Sequence, residues 1–218
     1  MDILLFLPVL LLSVVLHEVA HGWVALKQGD DTALRAGRLT LNPIPHIDLF
    51  GSIIVPALLW LTPGNVLFGW AKPVPVDPRQ FRNYRKGDIL VSLAGVVTNL
   101  LLAVAFTLLA VVMVYLARLV PSLTSILTVV VGMARIGIVL NLILAFFNLI
   151  PIPPLDGSHV LAQLLPVRMR AGYRQMGRYG LLILMALLFL APSGVWEKLL
   201  WPAMALDRLA VSFIKLIA

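Results

Sequence analysis

The chain has 218 residues, of which 61% are hydrophobic and only 12% charged, against roughly 25% charged in soluble globular domains. A mean hydropathy of +0.99 excludes a water-soluble fold, and the absence of cysteine excludes disulfides, thiolate metal ligands and cysteine nucleophiles. The net charge of +7 is spread between apolar stretches, which argues against nucleic acid as a partner and for basic loops facing an anionic membrane leaflet.

A first predicted span covers residues 3–26 and turns polar at 27–31. It lacks a basic leader and an A-x-A-like cleavage site, so it reads as a helix and not as a removable signal peptide. Over residues 32–48, Arg35, Gly37, Arg38, Pro43 and Pro45 interrupt any helical period, and Leu39-Thr40-Leu41 alternates like a strand. A short extended element is expected there and another over 66–78. Residues 49–70 are apolar but broken by Gly51, Pro56, Pro63, Gly64 and Gly69. What remains is too short to cross about 30 Å of hydrocarbon, so a re-entrant or hairpin segment is expected.

A polar belt at 72–88 precedes an uninterrupted apolar run at 89–117, the clearest span. A further span ends near residue 149, where Pro151-Ile-Pro-Pro154 stops it, and four arginines (Arg168, Arg170, Arg174 and Arg178) follow. Residues 181–190 are apolar again, and 195–218 reads as a last span or an amphipathic interfacial helix. The expected fold is an all-α polytopic membrane protein of about five to six hydrophobic segments, with a re-entrant segment and short β elements. It forms one domain over 1–218, with a core at about 1–160 and C-terminal membrane segments at about 178–218. The five basic residues of 72–88 and the four of 156–178 outweigh the one in 118–122, which puts both belts on the cytoplasmic side.

His17-Glu18-Val19-Ala20-His21 is the most informative stretch. Residues four apart share a helix face, so both imidazoles can converge on one metal ion. Glu18 then stands close enough to move protons without being a ligand, the arrangement of a zinc hydrolase. Glu18 is one of only two glutamates, and a charge inside an apolar span costs roughly 2.5 kcal/mol or more on insertion scales, so the triplet needs a partner. An interfacial polar cluster at a helix end is the plainer alternative. Two histidines leave a catalytic zinc one protein ligand short, and the third must be His46, His159 or a carboxylate. Asp156 is the best candidate, because the preceding prolines stop the helix and Gly157 permits a tight turn, although it could instead cap the next helix. Asn148 and Asn141 lie seven apart on one face. Asn148 is expected to bond a substrate backbone or a developing oxyanion, with helix-to-helix bonding as the alternative, which is the expected role of Asn141. His46 is expected to shape its loop, and Asn99 to serve packing.

These residues resemble the site-2 proteases, a family of intramembrane zinc metalloproteases, over most of the chain. His17-Glu18-x-x-His21 is similar to the family's metal-binding helix, and the run from Asn148 to Asp156-Gly157 to its second signature. The resemblance implies Asp156 as third zinc ligand and Asn148 as a substrate contact. Asn42-Pro-x-x-His46-Ile-Asp48-x-x-Gly51-Ser52 and the run from Gly69-Trp70 to Val76 look like the compact subgroup without PDZ or nucleotide-sensing domains. Ser92-Leu-Ala-Gly95-x-x-x-Asn99 resembles another family segment, with Val96 where proline is common, and His159 stands where arginine is frequent. The implied protein hydrolyses peptide bonds in or next to transmembrane segments of membrane-protein substrates. It carries one Zn2+ per chain in a prokaryotic inner membrane, with its site toward the cytoplasm. A membrane ion transporter or channel using the His/Asp cluster, or an inactive metal-binding scaffold, are the alternatives from other classes.

Overall fold

A computed structural model describes residues 3–55, 58 and 69–217, and all regular structure among them is helical. Helix α1 is Ile3–Gln28 and the single turn α2 is Thr32–Arg35. Helices α3, Tyr84–Leu119, and α4, Thr124–Asn148, follow. Then come α5 (Asp156–Leu164), α6 (Val167–Gln175), α7 (Gly180–Leu190) and α8 (Ser193–Ile217).

Three of these, α1, α3 and α4 with its preceding turn, are long and apolar enough to cross a membrane, or four crossings exist if the bent stretch from α6 to α8 is one span. Of the five to six hydrophobic segments expected from composition, three or four are able to cross among the described residues. The reason is length: at 1.5 Å per residue an eleven-residue α7 rises only about 16 Å. Most of the expected re-entrant segment, 56–57 and 59–68, lies outside the described residues. Its described beginning, Leu49–Ile54, is a π-helical turn capped by Asp48, whose side chain accepts from Gly51 N–H.

The expected short β elements are not found among the described residues. Asp30 accepts both the N–H and the hydroxyl of Thr32, which starts α2 where an extended chain was expected. Residues 44–46 close a 3-10 turn. Residues 69–77 run without helix or strand, tied by isolated bonds such as Lys72 N–H to His46 O. Without a partner ladder, neither stretch counts as a strand.

Helix α3 starts where the Asn83 side chain accepts from Lys86 N–H. It is followed by the short turn Pro121–Leu123, so α4 returns beside it. Ala103 of α3, Ile138 and Leu142 of α4 and Ala203 of α8 form a buried cluster. Two polar contacts within the spans join one helix to another. Asn141 Nδ2 donates to Ser13 Oγ at 2.8 Å, joining α4 to α1. Arg135 on α4 makes a two-pronged ion pair with Asp207 on α8, at 2.6 and 3.2 Å.

A guanidinium left alone in a spanning helix carries a desolvation cost of about 2 to 3 kcal/mol. Asp207→Asn is therefore expected to lower the unfolding midpoint in detergent, and the double replacement Arg135→Met with Asp207→Leu to recover most of it. Equal midpoints for the parent and Asp207→Asn would show that this pair does not hold α8 to α4.

Candidate metal centre

The two histidines of α1 lie four residues apart, and both are buried. Each ring is oriented from the far side by α3. His17 Nδ1 lies 2.8 Å from Asn99 Oδ1, and His21 Nδ1 lies 2.7 Å from Val91 O. An oxygen acceptor at Nδ1 draws the proton there, so the neutral rings turn bare Nε2 lone pairs inward. Gly95 makes room for this, because a Cβ at that position would stand 2.4 Å from His17 Cε1.

Asp156 is brought to the same point by the opposite end of the molecule. It is the first residue of α5, with Leu155 in the cap position, so it is not the helix cap. Its Oδ2 is buried without a hydrogen bond and lies 3.3 Å from His17 Nε2 and 3.4 Å from His21 Nε2. The two Nε2 atoms are 3.0 Å apart. With both Nδ1 atoms protonated, the two Nε2 lone pairs and the carboxylate would crowd one point in a low-dielectric interior, a cost that a cation between them removes. A tetrahedral zinc bound at its usual 2.0–2.1 Å separates its ligand atoms by about 3.3 Å, close to these edges. The donor set fits such an ion, and its two nitrogens and one oxygen leave a fourth position open.

A polar clamp between α3 and α5 sets the position of Asp156. Asp88, buried on α3, accepts from Gln163 Nε2 of α5, and its other oxygen is 3.4 Å from His159 Nδ1. The carboxylate holds the His159 imidazole above its ordinary value, against the opposing effect of burial. His159 therefore faces Asp88 and not the cluster. His46 is also outside it: its Nε2 bonds Thr40 O at 3.0 Å and shapes the loop.

Glu18, next to His17 on α1, accepts from Val74 N–H through its Oε2 at 2.8 Å. Asn148 ends α4, and its side-chain N–H bonds Leu144 O of its own helix at 2.9 Å. The residue that sequence reasoning undervalued is Asn99. A fully buried amide inside an apolar span, four residues after a glycine, was the available signal.

Comparison with known proteins points the same way. Residues 127–191 match the family model described as Peptidase family M50, a stretch that includes Asp156. A Bacillus subtilis protein named "Putative zinc metalloprotease YwhC" is 41% identical over 203 residues, covering 91% of this chain and 85% of its own length. The chain belongs to peptidase family M50, the site-2 proteases. A second relative, "Putative zinc metalloprotease Rip2" of Mycolicibacterium smegmatis, is 30% identical over 193 residues, covering 88% of this chain and 70% of its own. No solved structure matches. Family membership makes the chain a peptide hydrolase.

Removing an outer hydrogen bond to a metal-binding histidine typically costs 10–100-fold in metal affinity. Asn99→Ala is expected to weaken zinc binding by about that factor in a chelator competition, whereas Asn141→Ala, which breaks the α4–α1 bond to Ser13 and a bond to Gly137 O within α4, leaves it within about threefold. Equal affinities for the parent and Asn99→Ala would remove Asn99 from the site.

Proposed function

We propose that this chain is an intramembrane zinc endopeptidase that cuts membrane-protein substrates in or next to their transmembrane segments. The observation that carries the reading is the convergence of His17 Nε2, His21 Nε2 and Asp156 Oδ2 at 3.0 to 3.4 Å. These three residues would hold one Zn2+ per chain. Zinc bound there supplies a Lewis acid that brings a water's pKa near neutrality and polarises a carbonyl.

Glu18 neighbours the ligands without being one. Its role is to take a proton from the attacking water and to deliver it to the departing amine. One of its oxygens is engaged by Val74 N–H, which fixes the carboxylate while the other oxygen serves proton transfer. Asn148, at the end of α4 and eight residues before Asp156, is placed by the reading to orient the scissile carbonyl once substrate enters.

The substrate class follows from the setting. A transmembrane helix satisfies its backbone internally and must unwind locally before its carbonyl is open to attack. The 42–76 region would pair with the unwound stretch by strand addition. The basic belts flanking α3 and α5 support placing the site toward the cytoplasm.

The test pairs metal content with turnover. Purified in detergent, the parent and Glu18→Gln are each expected to hold about one zinc. Only the parent cleaves a panel of single-span substrates, with a loss in the variant of about 10²–10⁴. Chelation should stop cleavage and zinc should restore it. Helix-weakening Gly or Pro residues beside the cut should raise the rate. No zinc in either protein would sink the metal site, and equal cleavage by both would take Glu18 out of the chemistry.

A further inference from the structure

Arg38 is buried, 8% exposed, and no carboxylate pairs with it among the described residues. Its guanidinium donates instead to Lys72 O at 2.8 Å and, more weakly, to Pro73 O at 3.4 Å. A buried charge without a counter-ion is expensive unless its hydrogen bonds serve something specific. The sequence at the receiving end is Lys72-Pro73-Val74-Pro75-Val76. Prolines have no N–H, so Val74 carries the one backbone donor in the Pro-Val-Pro triplet, and the proline after it biases Val74 toward an extended backbone.

That single N–H is the one bonded to Glu18 Oε2 at 2.8 Å. Pro73 C=O and Val74 N–H are the two ends of one peptide group. A cation therefore sits at the carbonyl end of this peptide and a carboxylate at its amide end, a chain in which each bond polarises and strengthens the next. The approach depends on Gly22, one helical turn after Glu18. A Cβ there would stand 2.6 Å from Leu39 Cδ2 and 2.9 Å from Val74 Cγ1. Further along, Asp30 Oδ2 accepts from Asp77 N–H at 2.7 Å, so residues 72–77 are pinned on both sides of Val74.

We propose that Arg38 is a positioning residue for Glu18, acting through the Pro73–Val74 peptide group to hold the carboxylate in its working orientation. This rests on the peptidase reading above, in which Glu18 moves protons. Arg38 touches neither substrate nor metal in this account. Its effect belongs in kcat, not in metal binding or in substrate affinity.

The experiment is a double-mutant cycle on the zinc-loaded enzyme with Arg38→Ala and Val74→Pro, the second deleting the N–H itself. Each single variant is expected to lose at least tenfold in kcat with KM within twofold and zinc still near one per chain. The double variant is expected to lose no more than Val74→Pro alone, and Arg38→Lys to recover kcat to within about threefold of the parent. Hydrogen exchange at the Val74 amide is expected to quicken at least tenfold in Arg38→Ala and in Glu18→Ala, a readout independent of turnover. A kcat for Arg38→Ala within twofold of the parent, losses that multiply in the double variant, or a loss that tracks lost zinc would each overturn the proposal. Should Arg38→Ala fail to fold, Val74→Pro decides, since parent-like kcat there also overturns it. If the zinc-loaded parent cleaves nothing, the peptidase reading fails, and the exchange measurement still decides whether Arg38 acts on the Val74 to Glu18 bond.

Discussion

The convergence of two imidazoles and a carboxylate inside an apolar bundle is the constraint around which this molecule is built. His17, His21 and Asp156 could each relieve the crowding by turning away, and each is prevented. The imidazoles are fixed at Nδ1 by Asn99 and Val91, and Asp156 sits at the head of a helix tied to α3 by Asp88 and Gln163. Energy invested in these outer bonds keeps an unfavourable arrangement in place until a cation relieves it.

The surrounding bundle obeys a related rule. Lipid tails offer polar groups nothing, so those carried by the spanning helices have protein partners or belong to the centre itself. Ser13 with Asn141 and Arg135 with Asp207 hold helices together. His17 with Asn99 does the same while setting a ring plane. Helix adhesion and site construction use the same kind of bond here, distinguished only by whether one partner also faces the cluster.

Much of this was legible in the sequence because the determining signals are local. The His17-Glu18-x-x-His21 spacing needs only helical periodicity to put two imidazoles side by side, and the long apolar runs give α1, α3 and α4 nearly to their ends. Asp156 could be singled out because prolines and a glycine bracket it. The outer partners were less legible because they depend on which helices touch. Nothing in the apolar run around Asn99 says which residue it will meet, and the pairing of Asp88 with Gln163 spans 75 positions. The stretch around Leu39-Thr40-Leu41 misled because alternation is only half of a strand signal, the other half being a neighbour to pair with. Arg38 illustrates the same limit: a basic residue in a loop reads as a surface charge until the fold closes over it.

Helix α3 has a role that its apolar sequence conceals. Asp88, Val91, Gly95 and Asn99 occupy about three turns of one rod, and through them it holds both the α1 ligands and the helix that carries Asp156. Long spans answer a change in bilayer thickness mainly by tilting. Because the fixtures for both halves of the centre ride on one stretch of α3, tilt carries them together and their spacing is kept. The spacing of the converging side chains is thereby referenced to a protein axis and not to the lipid.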